Sequence, residues 1–225
     1  MRKTRVPVSE PQKKARKTTS GPVRDKARTM ERLITSVGKV IGKCGYPGLT
    51  IANIANESGL DRRLIYTYFG TLDNLVEAYL LRKDYWNAGA KKTVMDLLES
   101  PQDIGGDEIN SLLTGQFETM LKDKAWQKII HWEIGEKNKI LRRLSDSREE
   151  LGELLFQQIE QYFDRDSVDI RAVMALQIAG IYYLALHAKS NGSTFCGIDI
   201  NQEDGKERIK RALESITKGA FKKVK

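Results

Sequence analysis

Arg62, Arg63, Leu64, Tyr66, Thr67 and Tyr68 stand within seven consecutive positions and combine cationic, hydroxyl and aromatic groups. Guanidinium and hydroxyl groups hydrogen-bond phosphate oxygens and base edges, and an arginine can hold guanine by two bonds, so the set suits nucleic-acid contact. The cluster overlaps the spacing Ile51-x-x-Ile54-Ala55-x-x-x-Gly59-Leu60-x-x-x-x-Ile65. In that spacing Ala55 lets two helices approach closely, Gly59 takes the turn, and Leu60 and Ile65 lock the pair onto a preceding helix. Two short helices around a Gly-containing turn make a helix-turn-helix, whose second helix can enter the DNA major groove. A generic helical hairpin with a solvated face has the same pattern.

Patterns for catalysis are missing from the sequence. There is no Gly-x-Gly-x-x-Gly, and Gly42-Lys43 lacks both the earlier glycine and the following hydroxyl of a phosphate loop. No nucleophile elbow occurs, and Glu149-Glu150 and Glu203-Asp204 read as solvated helix ends. His131 and His187 are far apart and lack a Cys or His at metal spacing, while Cys44 and Cys196 are too few for a disulfide framework. The expectation is a reduced, cytoplasmic chain with no catalytic residues, cofactor or metal. No apolar core follows the basic N-terminal stretch, and the run Ala172–Ala188 is short for a membrane span and contains Gln177 and His187, so no membrane role is expected.

The elements that must position the cluster follow from the 3.6-residue period. Met30, Leu33, Ile34, Val37, Val40, Ile41 and Cys44 predict an amphipathic helix over 24–45, stopped by Gly45 and Pro47. Gly38 and Gly42 lie on one side of it, where they allow a close helix contact or are a tolerated weakness. Thr50 and Asp61 can cap the two short helices, and Thr71 a fourth helix with Asp73 in its first turn. Further helices are expected over 85–99, 107–122, 125–134, 138–163, 169–190 and 203–221. Loops are expected at Pro101–Gly106, Asp164–Ser167 and Asn191–Asn201. No alternating strand pattern is sustained, so the fold class is all-α.

With 225 residues, 40% hydrophobic and 30% charged, the chain can bury a core without staples. Its net charge of +8 lies at the front: residues 1–23 carry +6, residues 24–84 carry +3, and residues 85–225 carry −1. A basic front and a neutral rear point to a polyanion met by the first part. Residues 1–23, with Pro7, Pro11 and Pro22 and no apolar period, read as a disordered basic arm. The division expected is an arm over 1–23, a helix-turn-helix domain over 24–70, and a linking helix with a helical rear domain over 71–225.

Through Gly45-Tyr46-Pro47-Gly48-Leu49-Thr50-Ile51-Ala52-Asn53-Ile54-Ala55-Asn56-Glu57-Ser58-Gly59-Leu60, followed by Leu64-Ile65-Tyr66-Thr67-Tyr68-Phe69, the chain resembles the TetR family of bacterial transcriptional regulators. The likeness covers about residues 26–80. It implies a homodimeric, DNA-binding regulator, usually a repressor, whose rear helical domain dimerises and takes a small-molecule inducer. By that resemblance Thr50 contacts phosphate, in addition to capping. Arg62 and Arg63 open the recognition helix, as base or phosphate contacts or as solvated charges. Leu64 meets a thymine methyl or is buried, and Tyr66 lies near phosphate and bases or packs under the helix. Thr67 and Tyr68 match DNA-contacting positions.

Two departures stand out. Leu72 replaces a phosphate-touching lysine of the family, and Ala52 stands where some members carry arginine. The basic arm could compensate by tracking phosphates or entering the minor groove. The departures also motivate an alternative: a helical scaffold or partner-binding protein whose arm binds nucleic acid without sequence preference.

In the rear, Asp169–Lys189 is apolar around most of its circumference and the last helix presents Ile209, Leu213, Ile216 and Phe221. The pair resembles the family's dimer-forming helices, with Met174, Ile178, Ile181, Tyr182, Ile209, Leu213 and Ile216 as interface candidates and ordinary core as the alternative. Such a dimer would set two recognition helices about 34–36 Å apart on a near-palindromic operator. Phe117, Met120, Trp126, Ile130, Trp132 and Tyr183 are pocket candidates for an inducer, or else core.

Overall fold

The structure, a computed structural model, describes residues 22–163 and 168–222. Residues 1–21 of the expected arm and the loop expected at Asp164–Ser167 lie outside the described residues. The chain is built of ten α-helices among the described residues: α1 (Pro22–Cys44), α2 (Ile51–Ser58), α3 (Arg63–Phe69), α4 (Leu72–Lys83), α5 (Lys91–Leu98), α6 (Gly106–Lys122), α7 (Lys124–Gly135), α8 (Lys139–Ile159), α9 (Ile170–Asn191) and α10 (Glu203–Phe221). No strand is formed among them; Phe195 and Ile198 make an isolated bridge. The fold is all-α.

The front is assembled on α1. Leu33, Ile34, Val37, Val40 and Ile41 are buried along one stripe, and α2 and α4 pack on it with Ile54, Leu75, Val76 and Tyr79. Gly38 is where α4 comes nearest: a Cβ there would meet the Tyr79 ring at 2.6 Å, so only glycine fits. Gly42 has nothing within 4 Å of such a Cβ, and the close contact expected of both glycines belongs to Gly38 alone.

A helix expected over 85–99 is instead a π-helical turn, Tyr85–Ala90, followed by α5. The cause is Asp84. Its backbone is extended, which ends α4, and its buried carboxylate accepts from the Asn87 N–H at 2.9 Å and starts the turn. The helix expected over 138–163 ends as α8 at Ile159, with a 3-10 turn over Glu160–Tyr162. In the rear, α6 lies against α9 and α10, and α8 against α4 and α5. The core there includes Ile109, Leu113, Phe117, Met120, Trp126, Leu155 and Ile181. By length and composition α9 would suffice to cross a membrane; here it packs on α6, α7 and α10.

Candidate functional site

Local chemistry sets the shape of the α2–α3 unit. The Thr50 hydroxyl accepts from the Asn53 N–H at 3.1 Å, capping α2, and the Asn53 amide donates to the Gly48 carbonyl at 2.8 Å. Helix α2 ends at Gly59, whose φ of 63° is the left-handed conformation glycine adopts without strain. Arg32 on α1 donates to the Ser58 carbonyl at 2.7 Å, fixing this turn to the first helix. The Asp61 carboxylate accepts from the Arg63 N–H at 2.8 Å and opens α3. Ile54 and Ile65 are fully buried, each worth about 1.5–3 kcal/mol, so the angle between α2 and α3 is held from beneath.

With Ile65 inward, Arg62, Arg63, Tyr66 and Thr67 are exposed, Tyr66 at 53%. Leu64 and Tyr68 are half-buried against the core. The Thr67 hydroxyl donates to the Arg63 carbonyl at 3.0 Å, which uses its one donor and leaves its acceptor capacity. Thr50, at the start of α2, is exposed as well. Of the seven candidates five are exposed and two half-buried. Lys26 on α1 was not singled out from the sequence; its ammonium lies 5.8 Å from the centre of the Tyr68 ring and adds a cation to this surface. An exposed cation on α1 has no periodic signature, so only the fold reveals it. Lys39 and Lys43 on the same helix are engaged by Glu57, at 3.7 and 2.5 Å, and hold that carboxyl below its usual range. Leu72 packs on the core, with Thr71 capping α4 by accepting from the Asn74 N–H at 3.1 Å.

Tyr46, in the turn leading into α2, lies on Trp132 of α7 with ring centres 3.8 Å apart and an 18° interplanar angle. Burial pushes the Tyr46 phenol well above its ordinary value, and its hydroxyl has no hydrogen-bond partner among the described residues. The Trp132 indole N–H donates to Glu136 at 3.1 Å. Beside Trp132 on α7, Glu133 receives Arg148 of α8 at 2.7 Å, and the Arg148 Nε–H donates to Asp84 at 2.6 Å. Asp84 is fully buried and the Arg148 side chain 9% exposed. Burial raises the Glu133 carboxyl against the lowering effect of Arg148; for Arg148 burial acts downward, and Asp84 with its other neighbours keeps it raised and charged.

Arg148 and Glu133 of this triad line a cavity of about 180 Å³ walled by Trp86, Leu155, Phe156, Met174, Ile178 and Tyr182, with Ser145, Glu149 and Gly152. Burial pushes the Tyr182 phenol up to about 12. The sequence carried one sign of it. Arg148 occupies the same stripe of α8 as Leu141, Leu144, Leu151 and Leu155, a charge on a core face.

The pocket expected from Phe117, Met120, Trp126, Ile130, Trp132 and Tyr183 does not line this cavity. Phe117, Met120, Trp126 and Ile130 are packed solidly in the core, Trp132 stacks on Tyr46, and Tyr183 is 54% exposed beside His187 and Phe195. The helical period alone could not separate core from cavity wall. The interface candidates also divide. Met174, Ile178 and Tyr182, four residues apart, face the cavity instead of the outer surface. Ile181, Ile209, Leu213 and Ile216 line an outer apolar groove of about 310 Å³ between α9 and α10, with Val173, Leu176, Gly180, Leu184 and Ala212. Leu176 is 76% and Ile216 50% exposed there. Among the described residues no group of three or more His, Cys, Asp or Glu is gathered to hold a metal.

Residues 39–79 match the family model described as bacterial regulatory proteins, tetR family. No curated protein sequence matches the chain. Among solved structures, the fatty acid degradation regulator FadR from Bacillus halodurans is similar at 17% identity over 90% of this chain and 98% of that one, with a TM-score of 0.57. The transcriptional regulator FadR from Bacillus subtilis in complex with stearoyl-CoA gives 15% identity, 84% and 98% coverage and a TM-score of 0.58. A TetR-like regulator from a Rhodococcus species gives 15%, 85% and 94%, and 0.55. At these identities the likeness is one of fold. It extends from the α2–α3 unit through the rear helices, and within it residues 39–79 are the part that matches the tetR family model.

Proposed function

We propose that the chain is a sequence-specific regulator, a repressor that binds a near-palindromic operator as a homodimer and releases it when a small molecule enters the rear domain. Residues 24–70 act as the DNA-binding module and residues 71–225 as the dimer and ligand domain. The carrying observation is the capped α2–α3 unit, which buries Ile54 and Ile65 and turns Arg62, Arg63, Tyr66 and Thr67 outward. The outer α9–α10 groove supports the dimer, because Leu176 and Ile216 leave apolar surface exposed where two copies could cover it. The Arg148 cavity supports a ligand, and its charged end reaches the end of α4 through Asp84. A ligand shifts DNA affinity only by binding one separation of the two α3 helices better than another. Stearoyl-CoA, bound by the Bacillus subtilis relative, is an unfavourable guide here, since about 180 Å³ is below the ~300–1,000 Å³ of drug-sized sites.

The test is selection of DNA sites from a random library with the full chain, followed by binding with Arg62→Ala. An enriched inverted repeat, weakened by about 1–3 kcal/mol at particular positions in the variant, supports base reading by α3. Weak, salt-sensitive binding with no enriched motif would overturn it.

A further inference from the structure

The cavity between α8 and α9 has the size and chemistry to select its occupant. Its walls at Trp86, Phe156, Met174, Ile178 and Tyr182 are largely apolar, and its volume of about 180 Å³ is close to the ~150 Å³ that accommodates one benzene ring in a dry protein interior. One end is Arg148. That side chain is 9% exposed, its Nε donates to Asp84 and its Nη1 to Glu133, and its buried Nη2 has no hydrogen-bond partner among the described residues. A buried donor left unpaired costs about 1–3 kcal/mol, so an acceptor delivered by a ligand would recover binding energy there.

The charges decide what kind of acceptor. Arg148 is already paired with Asp84 and Glu133, and Glu133 and Glu149 both stand in the cavity wall, so a ligand carboxylate or phosphate would be placed beside two carboxyl groups and a guanidinium whose charge is already matched. An ammonium offers donors alone and would stand beside a guanidinium that needs an acceptor. Resting on the reading above that the rear domain takes a ligand, we propose that this cavity binds a neutral compound of single-ring size bearing one carbonyl-type acceptor, received by Arg148. Apolar walls supply most of the affinity, and the guanidinium fixes the orientation.

Acetophenone is the probe, titrated into the full chain without DNA by calorimetry and ligand-observed NMR. Three analogues are compared: α-methylstyrene, which replaces the carbonyl oxygen by a methylene, benzoate and benzylammonium. Saturable binding of acetophenone at one site per chain, with each analogue about tenfold or more weaker, is expected. Gly152→Leu provides the blocking variant. Gly152 lines the cavity on α8, a Cβ there meets nothing nearer than Phe156 at 4.0 Å, and leucine favours the helix, so the variant folds while its side chain fills the space. Loss of acetophenone binding with unchanged helical circular dichroism supports the assignment. Absence of saturable acetophenone binding, equal or tighter binding of any analogue, or undiminished binding to Gly152→Leu overturns it. Site selection on DNA uses no ligand, so an enriched operator with failed acetophenone binding would reject the ligand class and leave the regulator standing.

Discussion

Thr50 and Glu133 are single side chains whose roles experiment can separate. The Thr50 hydroxyl caps α2 at an exposed position, and under the proposed function the same oxygen meets phosphate. Thr50→Ala is expected to lower stability by about 1 kcal/mol, while Thr50→Asn restores the cap. If the hydroxyl also touches phosphate, DNA affinity stays reduced in Thr50→Asn even though its urea midpoint recovers. Equal recovery of both would assign Thr50 to capping alone. Glu133 titrates in the opposite sense to a simple ion pair. Its folded carboxyl lies above its ordinary 4.5 because burial outweighs Arg148, so folding favours its protonated form. Its contribution is fully present below that ordinary value and is lost as pH rises through the raised one. Glu133→Gln should therefore gain stability relative to wild type as pH rises across that window, by at most about 1.4 kcal/mol per pH unit, in paired urea titrations. A difference independent of pH would mean that folding does not shift this carboxyl, and one that moves the other way that the fold favours its ionised form.

Helix α9 is the element on which sequence and structure part. Its length and capping by Asp169, which accepts from the Ala172 N–H at 3.0 Å, are readable from the chain. Its direction is not, because Met174, Ile178 and Tyr182 on one side and Val173, Leu176, Gly180 and Leu184 on another are equally apolar. Gln177 marks the boundary: it is buried and donates to the Leu213 carbonyl and to Thr217, both at 3.1 Å, fastening α9 to α10. By contrast α2 and α3 are short and capped by named polar residues, so the inward places of Ile54 and Ile65 were legible in the sequence, while Leu64 and Tyr66 stayed open between base contact and burial until the fold placed Tyr66 outward and Leu64 half-buried. Leu176→Glu places a charge in the outer groove without touching the cavity. It should leave helical content unchanged, shift sedimentation toward a monomer and weaken inverted-repeat binding far more than half-site binding. A variant that sediments like wild type would move the interface elsewhere.

At the scale of the whole molecule, the front is joined to the rear by α4 and by a few contacts that cross between them. Arg143 on α8 reaches Glu77 at 2.7 Å, Arg148 reaches Asp84, and Tyr46 lies on Trp132. The exposed Arg143 pair contributes little, since such pairs are screened by solvent. The aromatic stack is different: it is partly buried, and its geometry is worth about 0.5–1.5 kcal/mol beyond the area it covers. Tyr46→Phe keeps the ring and removes a buried hydroxyl without a partner, so thermal unfolding should be unchanged or shifted upward. Tyr46→Ala should lower stability by at least about 1 kcal/mol and raise amide exchange in α2. Equal behaviour of the two variants would mean that the ring contributes nothing. The stack also bears on interchangeability. A chimera that carried residues 22–83 onto another rear domain would keep α1 to α4 and lose the ring beneath Tyr46. The halves of this chain are matched parts, and a graft would need to bring a flat aromatic surface at the position of Trp132 with it.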